Sequence, residues 1–443
     1  MSRRPILRTE IPGPVAADIL KRSDGAVSPS YTRDHPLVAE RGHGVWITDS
    51  DGNEFLDMSA GIAVTSTGHC HPRVVAAITE QAGKLIHMSG TDFYYPVQSR
   101  LATRLTAMQP VRGDKCRVYF GNSGAEANEA ALKLARYCTG RKSFIAFYDS
   151  FHGRTMGALS LTSSKVRQRE GFGPFLPVFH ATFPDPYRHG AAATDIAMES
   201  IERMFRTILP ADDVAAIFVE PIQGEGGYII PPADFLPRLR ALADAHGILL
   251  VFDEVQSGMG RTGKMFAFEH TGVKPDIISL AKGIASGLPL SATLASEDVM
   301  KWKPGAHAST FGGNPVACAA AHATLDLLEE SLIENSAVVG ERMLAMFQAT
   351  VGSHPNVGQI RGRGLMIGVE LVTDRPTKER AGDLRNRLVM DAFHRSGMVI
   401  LGCGTNTVRF CPALTTTEEE ATLAVELFTT SLHALTGVGH AQV

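Results

Sequence analysis

The chain from residue 248 to residue 284 opens with Ile-Leu-Leu-Val-Phe-Asp-Glu-Val-Gln-Ser-Gly and closes with Pro-Asp-Ile-Ile-Ser-Leu-Ala-Lys-Gly-Ile. Its continuous apolar run at 248–252 is typical of a strand buried on both faces of a parallel sheet, and a second, short apolar run lies at 277–280. The carboxylates of Asp253 and Glu254 follow the first run, and Lys282 follows the second run. Because α/β sheets bind ligands at the carboxyl ends of their strands, the pattern predicts an acid and a lysine at one ligand site.

A carboxylate and an amine beside a cofactor are what pyridoxal phosphate (PLP) requires. The lysine binds the aldehyde of PLP as a Schiff base, and the acid keeps the pyridine nitrogen protonated so that the ring withdraws electrons. Each residue also has a simpler explanation. A lysine after a strand is usually a solvated loop residue, and an aspartate at a strand end is often a turn former or a helix cap. The assignment therefore depends on further motifs.

The composition limits the class of protein. A length of 443 residues exceeds one typical core and predicts two domains. A net charge of -3 gives no indication of nucleic-acid binding, and no apolar run is long enough to span a membrane. The N-terminus lacks the apolar segment of a secretory signal. Six scattered cysteines without a C-x-x-C pair favour reduced thiols and a cytoplasmic location. His69-Cys70-His71 has too few neighbouring ligands for a metal site, so no metal is expected.

Strands alternate with helices through the middle of the chain, which predicts an α/β fold with a mostly parallel, doubly wound sheet. Strands are expected at 117–120 and 143–147, a buried strand at 214–219, and a strong helix at 125–137. From about Ser331 the pattern changes to helices and hairpin-like strands, which is typical of a smaller α+β domain. The expected domains are an N-terminal arm with part of the small domain at 1–65, a large PLP-binding domain at 66–325, and the rest of the small domain at 326–443.

Further candidate residues lie at turns that follow predicted strands. Ser123-Gly124 precedes the predicted helix at 125–137, and a Ser-Gly turn at a helix start offers free N–H groups and a hydroxyl to a phosphate. An ordinary N-cap serine explains this turn as well. Phe151 can stack on a planar ring, and Arg154 can form paired hydrogen bonds with a carboxylate.

Six motifs in this order carry a resemblance to a known family. They are Asn122-Ser-Gly-Ala-Glu-Ala-Asn128, Phe151-His-Gly-Arg-Thr155, Glu220-Pro-Ile-Gln-Gly-Glu-Gly-Gly227, Asp253-Glu-Val-Gln256, Ala281-Lys-Gly283 and Thr310-Phe-Gly-Gly-Asn314. Over residues 36–414 the chain resembles the class III (fold-type I) PLP-dependent aminotransferases, and it is most similar to 4-aminobutyrate and ornithine-type ω-aminotransferases. Amino-acid racemases belong to the same branch, and acetylornithine aminotransferases share many of the motifs.

The resemblance implies roles around the cofactor. Lys282 would hold PLP and then move the substrate proton, and Asp253 would pair with the pyridinium nitrogen. Strand alternation would place Val255 on the same face as Asp253, so that Val255 lies under the ring. Gln256 is similar to the residue that hydrogen-bonds the ring hydroxyl. The other implied cofactor contacts are Phe151 over the ring, Ser123, Gly124 and Ala125 at the phosphate, Glu220, and Thr310 from a neighbouring subunit.

The resemblance also implies a substrate-binding set. Arg409 and Glu225 resemble a switch pair: when closed it admits the amine end, and when open Arg409 binds the α-carboxylate of glutamate or 2-oxoglutarate. Arg154 would hold the distal carboxylate, and Ile62 matches an apolar wall residue. Without the resemblance, Arg409 would be interpreted as a surface arginine on a strand.

The resemblance therefore predicts a PLP-dependent aminotransferase that moves an amino group from an ω-amino acid of the 4-aminobutyrate or ornithine type to 2-oxoglutarate, by a ping-pong Schiff-base mechanism. A PLP-dependent racemase or epimerase and an acetylornithine aminotransferase are the alternatives. A non-enzymatic regulator is disfavoured because Lys282 and Asp253 are both present. The expected partners are small amino and keto acids and a second copy of the chain, as a homodimer with shared sites or a tetramer, without nucleic acid or membrane.

Overall fold

The predicted buried strands form the centre of a seven-stranded sheet. The computed structural model describes residues 3–437 of the chain. The strands are β1 (Ala39–His43), β2 (Trp46–Asp49), β3 (Glu54–Asp57), β4 (Cys116–Gly121), β5 (Ser143–Phe147), β6 (Val178–Ala181), β7 (Val214–Val219), β8 (Leu249–Asp253), β9 (Ile277–Leu280), β10 (Ser291–Ser296), β11 (Val357–Arg363), β12 (Met366–Asp374), β13 (Glu379–Arg380), β14 (Met398–Val399), β15 (Leu401–Cys403) and β16 (Thr407–Phe410).

The helices surround these strands in the chain order that was expected. They are α1 (Pro14–Ala26), α2 (Ala60–Ala63), α3 (Pro72–Lys84), α4 (Pro96–Ala107), α5 (Gly124–Thr139), α6 (Met156–Leu161), α7 (Pro186–His189), α8 (Ala193–Thr207), α9 (Phe235–His246), α10 (Pro315–Leu327), α11 (Ile333–Val351), α12 (Gly382–Ser396) and α13 (Glu418–Thr436). Short 3₁₀ turns join several elements, and one of them, Lys282–Ala285, follows β9 directly.

The chain divides into two compact units. The larger unit is Pro72–Glu334, and the smaller one combines the chain up to His71 with the chain from Asn335 on. The domain boundaries expected from the sequence were 65/66 and 325/326, so the larger unit begins later and ends later than expected. It begins at Pro72, the first residue of α3. Proline is well tolerated at the first helical position.

The sheet of the larger unit has the strand order β4-β10-β9-β8-β7-β5-β6. From β9 to β6 all neighbours are parallel, whereas β10 is antiparallel to both β9 and β4. The carboxyl ends of β5, β7, β8 and β9 therefore lie along one edge. In this register Asp253 pairs with Ser279, so the acid and the segment before Lys282 are neighbours on adjacent strands.

Helix α5 packs its small and aliphatic side chains against this sheet. Ala131, Leu134 and Ala135 share one buried cluster with Phe144 and Phe218 of the strands. A fully buried leucine or phenylalanine contributes about 1.5–3 kcal/mol, so this layer fixes the helix on the sheet. Its N-terminus is consequently held near the edge at which the strands end.

The smaller unit contains two sheets and the remaining helices. One sheet has the order β1-β2-β3-β14, and the other has the order β11-β12-β16-β15 with β13 paired to β12. Strand β16 lies between β12 and β15, and all four of its residues are buried. Within the part of the chain that the structure describes, no helix combines the length and apolar character needed to cross a membrane.

Candidate active site

Segments that follow four neighbouring parallel strands build the candidate site. The turn with Phe151 follows β5, Glu220 follows β7, Asp253 ends β8, and Lys282 follows β9. The backbone joins two of these segments, because the N–H of Glu254 donates to the carbonyl of Ser279 at 3.0 Å. The sheet topology thus collects residues that are far apart in the sequence at one edge.

Asp253 lies at the centre of a buried hydrogen-bond network. Its Oδ2 accepts from Nδ2 of Asn128 at 2.7 Å and from Nδ1 of His152 at 2.7 Å, and its Oδ1 accepts from the N–H of Val255 at 3.0 Å. Asn128 also donates to the carbonyl of His152 at 2.8 Å. The carboxylate is therefore held in one orientation by groups from a helix, a loop and its own turn, which is how a positioned acid is supported.

Asn128 and His152 were not predicted from the sequence to have a role in the site. Both are buried, and Asn128 is a polar residue on an otherwise alanine-rich helix face. A buried amide needs hydrogen-bond partners. The position of Asn128 among apolar residues of the helix was therefore the feature of the sequence that could have indicated its role. Among the residues described, Oδ1 of Asn128 and Nε2 of His152 are buried without a hydrogen-bond partner. Each of the two side chains that hold Asp253 therefore keeps one further polar atom for a bound group.

Two titratable groups in this network are perturbed. Burial lowers the pKa of His152, but the hydrogen bond and charge of Asp253, together with the charge of Glu220, outweigh this effect and raise it above its usual value. Burial raises the pKa of Glu220 to about 7, Asp253 raises it further, and His152 and the N–H groups of Gly224 and Phe151 oppose the rise. Perturbed values in a cleft are typical of functional sites.

We expect the cofactor-free protein to lose stability between pH 5 and pH 8, and Glu220→Gln to weaken this loss. Because the pKa of Glu220 is about 7 in the folded chain and near 4.5 when unfolded, the folded state binds more protons in this range, so stability falls as pH rises. The contribution is about 3 kcal/mol at most. Urea unfolding at each pH measures it.

The control for this prediction is Glu199→Gln, which removes an exposed carboxylate from α8. It should leave the pH dependence as in the parent chain. Glu254, whose pKa burial also raises to about 7, should account for part of the slope that remains in Glu220→Gln. A slope that is unchanged in Glu220→Gln would mean that Glu220 is ionised throughout.

The N-terminus of α5 forms the predicted phosphate turn. Ser123 is the N-cap of this helix, and its hydroxyl accepts from the N–H of Glu126 at 3.3 Å, as the simpler explanation of this serine requires. The turn also lies against the end of β8, because a Cβ on Gly124 would stand 2.7 Å from Cγ1 of Val255. Only glycine permits this approach. A helix N-terminus beside the Asp253 network suits an anion.

Strand alternation does not account for the placement of Val255. Strand β8 ends at Asp253, and Val255 lies in the following turn, so strand alternation does not determine its direction. The aspartate itself captures the N–H of Val255 and turns the chain. Val255 still lies next to Gly124, at the junction of the phosphate turn and the acid. The adjacent Gln256 is buried, and its Oε1 accepts from the hydroxyl of Tyr228 at 2.7 Å.

Lys282 lies in a constrained backbone conformation. Its φ is +44°, which is uncommon for a residue with a side chain, and it starts a 3₁₀ turn immediately after β9 and Ala281. Its side chain is only partly exposed. Such strain costs about 1–3 kcal/mol and is retained chiefly where the surrounding structure requires it, which supports a functional position.

The remaining predicted residues are less closely tied to the network. Phe151 is half-buried and its N–H donates to Glu220 at 3.4 Å, while the guanidinium of the exposed Arg154 lies 5.8 Å from the Phe151 ring centre. Glu225 is half-buried in the loop after β7, and Thr310 is exposed. Ala125 is half-buried in the first turn of α5, while Ile62 and Arg409 belong to the smaller unit.

The groups at this edge fit pyridoxal phosphate. The α5 N-terminus suits the phosphate, and the doubly anchored Asp253 carboxylate suits a protonated ring nitrogen. Lys282, which follows the strand next to that of Asp253, would supply the amine for the aldehyde. The residues that would hold the group therefore come from one unit of one chain, with Thr310 left exposed on the same unit.

Comparison with known proteins identifies a family. The family model for class III aminotransferases matches residues 27–432 of this chain. The 5-aminovalerate aminotransferase DavT of Pseudomonas aeruginosa is 41% identical over 403 residues, which are 90% of this chain and 93% of that protein. The alanine/serine racemase of Pyrococcus horikoshii is 38% identical over 434 residues, which are 94% of this chain and 90% of that protein.

A solved structure agrees with these sequence relatives. An amine transaminase from an uncultivated Pseudomonas species, determined in its PLP-bound form, is 35% identical and has a TM-score of 0.85. The match covers 92% of this chain and 98% of the transaminase. Both the fold and the family expected from the motifs are thereby confirmed.

Proposed function

The chain belongs to the class III aminotransferases and uses pyridoxal phosphate, and from this premise we propose that it transfers the amino group of an ω-amino acid to 2-oxoglutarate. The donor would be of the 4-aminobutyrate or ornithine type. The similarity to a 5-aminovalerate aminotransferase supports a donor whose amine is remote from its carboxylate. Arg154 would hold that distal carboxylate, since it is exposed beside Phe151 and can form paired hydrogen bonds.

When bound, PLP supplies a protonated ring that accepts electron density from the substrate carbon as it loses a proton. In the proposal, Nζ of Lys282 takes that proton and returns it. Asp253 would pair with the ring nitrogen, and Asn128 and His152 hold its carboxylate in place. The N–H groups at the start of α5 would bind the phosphate, and Phe151 would cover the ring and exclude water.

The burial of Arg409 carries the proposal of a keto-acid acceptor. Its side chain is only 4% exposed, on the inner strand β16, where Gly368 and Leu401 are its register neighbours. The alternative of a surface arginine is therefore wrong, because the residues on both faces of β16 are buried. A guanidinium is rarely buried unless carboxylates or other acceptors are available to it. This supports Arg409 as the group that meets Glu225 and the α-carboxylate in turn.

We expect Arg409→Ala to slow the half-reaction with 2-oxoglutarate about 10- to 100-fold, because a charge-assisted hydrogen-bond pair to the α-carboxylate is lost. The half-reaction with an ω-amine should change by less than about threefold. Each half-reaction is followed by stopped-flow absorbance of the cofactor, with one substrate at a time: 4-aminobutyrate, ornithine or alanine, and then 2-oxoglutarate.

Arg363→Ala is the matched control, since Arg363 is an exposed strand arginine of the same unit. It should leave both half-reactions near the parent rates. Equal losses in the two half-reactions of Arg409→Ala would contradict the proposed switch. In the parent enzyme, the amino donor is identified as the amine that removes the visible absorbance of the bound cofactor in stoichiometric amount. Addition of 2-oxoglutarate should then restore that absorbance.

The relationship to an alanine/serine racemase favours one second candidate, an amino-acid racemase or epimerase. Both reactions begin with loss of the substrate proton to Lys282. They differ in whether that proton returns to the cofactor side or to the opposite face of the substrate carbon. A racemase would keep its visible band while the D-enantiomer accumulates, so the same half-reaction experiment separates the two. An acetylornithine donor would be recognised by its own bleaching rate.

We propose that the enzyme is a homodimer, or a tetramer made of two such dimers, with Thr310 placed at the partner's cofactor. The loop of Thr310 lies beside the segment after α3, because Nδ2 of Asn314 donates to the carbonyl of Ile86 at 3.0 Å and the His87 and Phe311 rings are 5.0 Å apart. Apolar side chains are exposed on both segments, which is typical of an interface. They are Leu85, Ile86, Met88, Phe93, Tyr94 and Phe311. A cytoplasmic location remains a proposal that rests on the cysteine spacing.

A further inference from the structure

The loop that follows β7 is closed at its base. Gln223 and Ile229 exchange two backbone hydrogen bonds, at 3.0 and 3.1 Å. Inside the loop, the N–H groups of Gly227 and Tyr228 donate to the carbonyl of Gly224 at 3.1 and 3.2 Å. These hydrogen bonds therefore fix the backbone position of Tyr228.

Tyr228 occupies this loop at a conformational cost. Its φ is +55°, in the left-handed region that bulky residues rarely adopt. The side chain is nevertheless fully buried. Glycine would adopt this backbone conformation without strain, and the loop already contains glycine at the two preceding positions. A strained, buried tyrosine at such a position indicates a requirement for its side chain.

The hydroxyl of Tyr228 reaches Gln256. It donates to Oε1 of Gln256 at 2.7 Å, between two buried side chains. Gly224 stands against the other end of the amide, because a Cβ there would lie 2.6 Å from Nε2 of Gln256. In this pair the hydroxyl is the donor, so the oxygen end of the Gln256 amide faces Tyr228 and the NH₂ end faces away from it.

We propose that Tyr228 is a positioning residue, which orients the Gln256 amide so that its NH₂ group, and not its carbonyl, faces the ring oxygen of the cofactor. This inference rests on the cofactor-binding role proposed for Gln256. An NH₂ donor stabilises the ring oxygen in its ionised form, whereas the reversed amide would oppose its charge. Tyr228 thereby sets both the affinity for the cofactor and the pH at which its absorbance titrates.

Tyr228→Phe removes the hydroxyl and keeps the ring, the volume and the backbone conformation. We expect the affinity of the cofactor-free protein for PLP, measured by fluorescence quenching, to fall about three- to tenfold. The pH midpoint of the visible absorbance of the bound cofactor should rise by about 0.5 to 1 pH unit. The midpoint rises because the form with more negative charge on the ring oxygen loses its oriented donor.

Tyr95→Phe is the matched control. Tyr95 is also buried, and its hydroxyl donates to the carbonyl of Gly313 at 2.6 Å and accepts from Nε2 of Gln98 at 2.9 Å, so this change removes buried hydroxyl hydrogen bonds away from Gln256. It should lower the melting temperature to a similar extent without moving the absorbance midpoint. A midpoint that is unchanged in Tyr228→Phe would overturn the inference, however much stability is lost.

A double-mutant cycle separates this inference from the proposal on which it rests. Gln256→Met keeps the length of the side chain and removes the amide, and it should raise the midpoint by itself. Adding Tyr228→Phe to Gln256→Met should then cause no further rise, because Tyr228 acts through the amide. An unmoved midpoint in Gln256→Met refutes the role of Gln256. A midpoint that moves in Gln256→Met but not in Tyr228→Phe refutes the positioning role alone.

Discussion

Replacement of Lys282 by alanine is expected to lower turnover by a factor of at least about 10³, because the group that moves the substrate proton is lost. The covalent link between chain and cofactor should be lost as well. After borohydride reduction, the mass of the parent protein should increase by one cofactor, whereas that of Lys282→Ala should not. The backbone at this position is strained, with φ of +44°, and alanine keeps this strain. The melting temperature must therefore be measured too, to check that the variant is folded.

Lys264→Ala provides the control for this variant. Lys264 is an exposed lysine in the loop after β8 and takes no part in the proposed site. Its replacement should leave turnover and the mass increase unchanged. Full turnover in a folded Lys282→Ala protein would contradict the catalytic assignment and favour a non-enzymatic role for the fold.

The same variant tests whether sites are shared between subunits. Thr310→Asp should repel the cofactor phosphate, so that each variant alone is inactive. In a shared-site dimer, a mixed pair has one site with both replacements and one site with the native Lys282 and Thr310. An equal mixture that has been dissociated and reassembled should therefore recover about a quarter of the parent activity. No recovery, despite proven mixed dimers, would contradict the placement of Thr310 at the partner's cofactor.

Replacement of Asp253 by asparagine is expected to lower turnover about 10²- to 10³-fold, as is typical when one electrostatic contact in an active site is removed. Asparagine has nearly the same shape but cannot keep the ring nitrogen protonated. It also places an NH₂ group against the N–H of Val255 if its oxygen continues to accept from Asn128 and His152. The pKa of His152 should fall, because Asp253 is the main group that raises it.

A cofactor analogue with a permanently charged ring nitrogen tests the reason for this loss. If Asp253 acts through the protonation of that nitrogen, the analogue should restore part of the turnover of Asp253→Asn. Asp276→Asn is the control, since Asp276 also accepts from a backbone N–H, that of Leu250 at 2.7 Å, but lies outside the site. It should lose stability and keep its turnover. A turnover of Asp253→Asn within a few-fold of the parent would contradict the assignment.

Much of the sheet was predictable from local pattern. Strands β5, β7 and β9 have the bounds that their apolar runs predicted, and β8 differs by one residue at each end. Continuous apolar runs are a strong signal because a strand covered on both faces cannot include polar residues without partners. The order of helices and strands then indicated the parallel arrangement, and with it the edge at which Asp253 and Lys282 would meet.

Side-chain networks were not predictable in the same way. Asn128 and His152 were missed because their partner, Asp253, lies more than 100 residues further along the chain. Strand alternation could not place Val255, because the hydrogen bond from its N–H to the Asp253 side chain turns the chain after β8. Arg409 could be a surface or a buried residue until the burial of both faces of β16 was known.

The sequence by itself determined the fold class, the family and the cofactor. Hydrophobic periodicity and motifs depend on residues that are close in the sequence, and the order of the motifs can be read directly from it. Only the tertiary structure decided how the acid is held, which residues are strained, and that Tyr228 contacts Gln256. These features arise where distant segments meet at the edge of the sheet. Their energies depend on distances of a few ångströms, and the linear order of residues does not contain those distances.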